Sequence, residues 1–557
     1  MKPSRRISLL LFLFCFGVSI ASTQTIPVGT FQHIIIVVQE NRTPDNLFGA
    51  GSAPGPCNSG KAFEPGIDIQ SGGYGFVYMS TGTVQREFIC NTSLPLSAWD
   101  QNLTKPQIID PNHSYNGMHT DYDKGNMDGF CHEFDNSSFV GVCPPYSFVQ
   151  KSDVQPYFDI ATNYGFANYM FQTNQGASFS AHQFLFTGTS APVEPHDPNQ
   201  YFLDFASENV GFNDSGCPYL GPPWPQWVLP NGALVADPRK SECYTHDSLV
   251  TDAADCATNH CDRGLVSWAY YNSDALSTII WDAAVAIPEV CYGATSGTGP
   301  CGGPEWTSHV RLPGKSSYSE APIFDDLFNC KLPQVSWVIP DGVWSDHPQD
   351  PATAPVTVHG PSWVGDIIDA VGGGMVGSVC NPPSATSALY WTQEPTLILV
   401  VWDDWGGWFD HVHPPHMYKS PDKTSCPTTV QPNGWGCGYI YGFRVPLLVV
   451  SPYTRRGYVS GACQSNCPNL RFPYIHDFGS LLAFTEYNFG MPYIDAADNG
   501  YADYNAPDNQ PGNVPLSDFF DVSKPRSFTK ITTAEPFTFF QTYHAKTGTK
   551  PEPPDND

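Results

Sequence analysis

The sequence predicts an α/β fold: a mainly parallel central sheet flanked by helices, with a loop- and Cys-rich insertion over residues 192–330. Three observations carry that expectation. The runs IIIVV (34–38) and TLILVVW (396–402) are unbroken, apolar and rich in β-branched residues, the pattern of strands covered on both faces. Two further runs, 334–339 and 445–451, read the same way. Helical spacing recurs at 154–164, 179–186, 265–284, 363–371 and 476–489, and strand and helix in alternation imply a parallel sheet between helical layers.

Taken in order, the chain opens on a basic flank with Arg5 and Arg6, an apolar core over 7–18 and small residues near 19–21, the makings of a signal peptide over 1–21. That core falls short of the roughly 20 residues a membrane span needs. No later stretch reads as a span, so a secreted or periplasmic protein without a stable membrane anchor is expected. Of the 17 cysteines, Cys15 lies in the leader, and an even number remains, as an oxidising compartment favours. Cys256 with Cys261 and Cys463 with Cys467 are spaced to close small loops, and neither has a second pair at zinc-finger spacing.

A formal net charge of −28 argues against nucleic acid or an anionic membrane as partner. It leaves phosphate substrates open, since a cation and a few histidines reverse the field locally. The 41% hydrophobic and 14% aromatic content suffices for a large core. With 49 Gly and 53 Pro, the chain reads as one domain with long loops over 22–545, followed by a disordered tail at 546–557. Nothing in it bears on oligomeric state.

The strand ends carry the chemistry. The first run delivers Gln39, Glu40 and Asn41, and the second delivers Asp403 and Asp404, at the carboxyl ends where open α/β sheets bind ligands. If the strands are neighbours, these side chains meet, and so much negative charge requires a cation. Singly, each ending is also what a solvated turn or a helix cap looks like; two in one chain favour a site. Ser178 follows Gly176 at the start of a helical stretch, a place that suits a capping serine and a hydroxyl nucleophile alike. His113 lies in polar, irregular sequence unlike that around a core histidine, and His347 stands beside Asp346 beyond the third strand.

Together these residues resemble the bacterial phosphoesterase family that contains acid phosphatases and non-haemolytic phospholipases C. The likeness rests on QENRTPDNLFG (39–49), DPNH (110–113), MDGF (127–130), GAS (176–178) with Gly188-Thr189, SDHP (345–348), WDDWGGWFDH (402–411) and LSDFFD (516–521). It implies an alkaline-phosphatase-like fold and a metal held by Glu40, Asn41, Asp403, Asp404 and Ser178. Ser178 is then also the nucleophile of a phosphoserine mechanism, and Asn41, His113 and His347 contact the phosphate ester, the histidines also handling protons. His411 would orient the Asp403-Asp404 loop from behind. Oxygen donors favour Ca²⁺, Mg²⁺ or Mn²⁺, with Zn²⁺ also used by related folds. Many members follow the serine with a proline and a basic residue; here Phe179-Ser180-Ala181-His182 makes Ser180 a rival nucleophile. The sequence is read as lacking the long β-rich C-terminal extension that the phospholipases tend to carry, which leans the expectation toward acid phosphatase, with phospholipase C as the alternative.

Two other classes are weighed. A sulfatase needs a C/S-x-P-x-R motif, and the nearest stretch, CNPPS at 380–384, lacks the arginine. A secreted carbohydrate- or ligand-binding protein would use the many Trp and Tyr for stacking, and leaves the acidic strand ends unexplained.

Overall fold

The computed structural model describes residues 26–49, 57, 66–100, 103, 107–191, 205–207, 216–217, 226–228, 234–236, 243–245, 247–251, 266–272, 280–291, 301–315, 317–348, 359–373, 388–415, 440–462, 474–494 and 514–543. Eight strands form the central sheet: β1 (His33–Gln39), β2 (Gly165–Ala167), β3 (Trp268–Tyr271), β4 (Val310–Arg311), β5 (Val335–Val338), β6 (Thr396–Trp402), β7 (Leu447–Val450) and β8 (Tyr458–Ser460). Their order is β4-β3-β5-β1-β6-β7-β2-β8, and among these strands only β7 runs antiparallel to its neighbours. The mainly parallel sheet is therefore present, with the two long apolar runs side by side at its centre.

Six helices matter for the site: α1 (Pro44–Phe48), α2 (Tyr115–Tyr122), α3 (Gln155–Asn163), α4 (Ser178–Thr187), α5 (His359–Gly372) and α6 (Phe478–Phe489). Register sorts them into two layers. Trp337 is level with Ile36 and so with Leu399, whereas Trp402 comes an odd number of residues after Leu399 and faces the other way. On the first face Trp337 Nε1 donates to Leu185 O at 2.9 Å and its ring meets Phe186 of α4. On the second, the Trp402 ring lies 5.0 Å from Tyr157 of α3. Helix α6 packs with α4, and α5 with α3, so each face has its own cover. Both faces of β1 are consequently dry, which is why its sequence is apolar without alternation.

The segment 192–330, expected as an insertion, supplies β3 and β4 to the sheet, so part of it belongs to the core. The helix expected near 265–284 is corrected by the same observation. WAYY at 268–271 is three-quarters aromatic, suits a pleated surface, and pairs with β5 as a buried strand; Ala283–Ala286 forms one 3₁₀ turn. Disulfides join Cys57–Cys90, Cys131–Cys143, Cys217–Cys243 and Cys291–Cys301. The leader, the tail and the cysteines at 256, 261, 463 and 467 lie outside the described residues. Among the described residues no helix is long and apolar enough to cross a membrane.

Because Ile36 is wholly buried at the centre of β1, Ile36→Ala should lose about 2–5 kcal/mol of stability. Urea unfolding reads this directly, and a loss below about 1 kcal/mol would contradict burial on both faces.

Candidate active site

Parallel register builds the site. Gln39 is level with Trp402, so the next residues, Glu40 and Asp403, leave the sheet side by side, and Asp403 N donates to Gln39 O at 2.9 Å. Asn41 then turns the chain at φ 59°, a left-handed conformation asparagine tolerates better than most residues. Thr43 caps α1 by accepting from Asn46 N at 3.1 Å, with Pro44 as the first helical residue. Across from it, Gly406 at φ +61° lets the Asp403-Asp404 loop close on Asn41; a Cβ there would stand 2.4 Å from Asn41 O.

Ser178 is the first residue of α4. The capping position belongs to Ala177, so Ser178 is not the N-cap that would give its hydroxyl a purely structural role. Instead Oγ donates toward Asp404 Oδ2 at 3.1 Å and lies 3.4 Å from Glu40 Oε2. Ser180 is directed elsewhere: its Oγ donates to Ala177 O at 3.0 Å and accepts from Asn174 Nδ2 at 2.7 Å. The rival serine thus stabilises the start of α4, and Ser178 alone of the two meets the carboxylates.

One turn further on, His182 places Nε2 3.0 Å from Glu40 Oε1 and 3.8 Å from Asp403 Oδ2. Ligand atoms of Glu40, His182 and Asp403 all lie within 4.8 Å of one another. Sequence reasoning passed over His182, although its spacing of four from Ser178 puts both on one helical face. Burial pushes this imidazole down to about 4, against a smaller upward pull from Asp403. It therefore adds a donor atom at neutral pH and little charge.

His113 sits against Asn41. Its Nε2 accepts from Asn41 Nδ2 at 3.0 Å, which leaves the proton on Nδ1 to be donated to Pro111 O at 2.8 Å. Asn41 N donates to Asp403 Oδ1 at 2.9 Å, while Asn41 Oδ1 and Asp403 Oδ2 are buried with no hydrogen-bond partner. Two orphaned oxygens beside two more carboxylates and a serine are what an oxygen-ligated divalent cation would satisfy, so the donor set fits a metal. The His347 ring lies 6.0 Å from that of His113 and 6.2 Å from Trp281.

A model of the phosphoesterase family matches residues 31–492. The chain belongs to that family. It is 31% identical over 183 residues to the non-hemolytic phospholipase C of Burkholderia pseudomallei (strain K96243), covering 31% of this chain and 21% of that protein. It is 34% identical over 143 residues to phospholipase C B of Mycobacterium tuberculosis (strain ATCC 25618 / H37Rv), covering 23% and 22%. The match to the non-hemolytic phospholipase C of Pseudomonas aeruginosa is 28% over 190 residues, 32% of this chain and 23% of that one. Each match spans about a fifth of the curated relative.

In this phosphoesterase chain a second group, Asp45, Asp410 and His411, also has ligand-type atoms within 4.8 Å, but a cation of the protein already fills it. Arg444 grips both Asp410 oxygens at 2.9 Å and reaches Asp45 Oδ1 at 3.4 Å, all buried. His411 bridges Asp45 at 2.7 Å and Asp68 at 3.1 Å, which ties the far end of the Asp403-Asp404 loop to α1. Burial opposes a charge on His411, yet the Asp45 and Asp68 carboxylates outweigh it and raise its pKa from 6.5 to about 9.

A folded-state pKa raised in this way gives stability that is full below about 6.5 and is lost as pH climbs through about 9. The stability difference between wild type and His411→Gln should therefore shrink by on the order of 2 kcal/mol between about pH 6 and about pH 10. Chemical unfolding of both proteins across that range checks it; a constant difference would show that His411 is neutral in the fold.

Proposed function

We propose that this chain is a metal-dependent phosphoesterase that hydrolyses phosphate esters through a covalent phosphoserine on Ser178, with acid-phosphatase-like action on monoesters. The observation that carries this reading is the Ser178 hydroxyl at hydrogen-bond range of Asp404 and Glu40, beside Asn41 and Asp403 oxygens that lack partners. Phospholipase C-type cleavage of diesters is the second reading, and the names of the relatives favour it. The central sheet, with its functional residues at the carboxyl edge, agrees with an alkaline-phosphatase-like architecture.

A divalent cation held by Glu40, Asn41, Asp403, Asp404 and Ser178 would supply Lewis acidity, lowering the pKa of the serine hydroxyl and offsetting phosphoryl charge. The mostly oxygen donor set favours Ca²⁺, Mg²⁺ or Mn²⁺, and the His182 nitrogen is the one feature that speaks for Zn²⁺. Ser178 Oγ attacks phosphorus as its proton moves toward Asp404, the group it already faces. The bond from phosphorus to the alcohol oxygen breaks, and His347 protonates that oxygen. Water, giving up a proton to His347, then attacks the phosphoserine; the bond from phosphorus to Ser178 Oγ breaks, phosphate leaves and Ser178 regains its proton from Asp404. His113, with both ring nitrogens engaged, holds the Asn41 amide so that Nδ2 is occupied and Oδ1 is left for the cation. The disulfides support an oxidising compartment, which we extend to a secreted or periplasmic location.

Ser178→Ala should lower turnover of a chromogenic phosphate monoester by at least about a thousandfold, and chelation followed by metal return should abolish and restore activity. Full activity in the alanine variant would remove the mechanism. Initial rates on a monoester, a soluble diester and a phosphatidylcholine dispersion then separate the two readings: fastest turnover of the lipid would overturn the monoester assignment.

A further inference from the structure

The four residues Gln39-Glu40-Asn41-Arg42 divide their work by position. Glu40 reaches toward α4, where Ser178 and His182 stand. Gln39 is level with Trp402 and so lies on the opposite face, toward α3. There its amide spans a turn of the loop that follows β5: Nε2 donates to Trp344 O at 3.1 Å and Oε1 accepts from Asp346 N at 2.9 Å. Arg42 completes the hold, donating to Asp346 O through Nε at 2.9 Å and Nη2 at 2.6 Å, and to Leu96 O. The Asp346 carboxylate is fixed in turn by Tyr157 Oη at 2.7 Å and Trp402 Nε1 at 3.1 Å. All of these groups are buried. The next residue along is His347.

We propose that Gln39 and Arg42 are positioning residues for His347, so that one tetrapeptide holds the ion with its inner pair and the leaving-group acid with its outer pair. The inference rests on the reading of His347 given above. Parallel register alone cannot set His347, because β5 ends at Val338 and eight residues separate the two. A bidentate side-chain amide and a guanidinium on one carbonyl supply the missing constraint. They cross from the strand that bears Glu40 directly to the loop that bears the histidine, so the distance between nucleophile and acid is set by β1. A general acid needs such placement, since proton transfer in the transition state requires hydrogen-bond reach of the departing oxygen.

Arg42 is a fully buried cation, and removing it would test folding before function. Gln39→Met, nearly isosteric and unable to bridge the turn, is the informative variant, with Gln39→Glu as a second that keeps the acceptor for Asp346 N. A merely structural role would slow all substrates alike. The proposal instead expects Gln39→Met to lose about tenfold or more in kcat on an alkyl phosphate, which needs protonation of its leaving group. On a dinitrophenyl phosphate, which does not, the loss stays within about threefold. Gln39→Glu falls between. Cation affinity by calorimetry stays within about twofold of wild type, and Gln39→Met adds nothing further in a His347→Ala background. Equal losses on both esters, weakened cation binding, or additivity with His347→Ala would each overturn the positioning role. His347→Ala without leaving-group dependence would overturn the underlying assignment of the acid instead, and the two failures are told apart by that variant alone.

Discussion

Everything in the site depends on the in-register pairing of β1 with β6. Two strands of seven residues, aligned from His33 opposite Thr396 to Gln39 opposite Trp402, must release their next residues at the same height. Those residues are carboxylates. Glu40 and Asp403 oxygens within 4.8 Å repel by about 3 kcal/mol at an effective dielectric of about 20, and Asp404 adds to the load. Sheet pairing, through a core buried on both faces, is strong enough to impose that juxtaposition, and a bound cation would turn it from a penalty into an affinity. A slip of one residue would send Glu40 to the α3 side and dismantle the cage.

The same charge problem is solved twice in this chain by different means. Around Asp45, Asp68 and Asp410 the protein supplies its own cations, Arg444 and a protonated His411, and the cluster becomes a strut between α1 and the Asp403-Asp404 loop. Around Glu40, Asp403 and Asp404 the neighbours are a serine hydroxyl, an amide and an imidazole that burial keeps neutral. The first cluster is closed by Arg444, whose Nε and Nη2 donate to the Asp410 and Asp45 carboxylates. The second leaves oxygens without partners, and that contrast marks which cluster is built to receive something from outside.

Much of this was legible in the sequence, for identifiable reasons. Buried central strands have to be apolar on both sides, so β1 and β6 stood out, and polar residues at their ends had only the sheet edge to occupy. Ser178 was legible because Gly176 and the helical pattern after it fix where α4 begins. His182 was not, since a histidine inside an apolar helix looks like core until its neighbour across the sheet is known. Arg444 and Asp410, 34 residues apart, carry no local pattern that announces a buried pair. β3 read as helix because four aromatic or small residues have no period to measure, and its partner β5 lies far along the chain.

The segment between α4 and β5 reaches the candidate site. It is tied to the site at two points: Gln183 of α4 donates to Ala283 O at 3.1 Å, and Trp281 packs its ring near His347. Trp281 is almost wholly buried, as is Ala283. The indole is therefore part of the wall beside His347, the proposed leaving-group acid, while the proposed cation ligands come from β1, β6 and α4. On the proposed mechanism, phosphoryl chemistry and leaving-group fit would fall to different parts of the chain. On that reading, changes in the 280–291 stretch would alter which ester is accepted without disturbing the β1–β6 register.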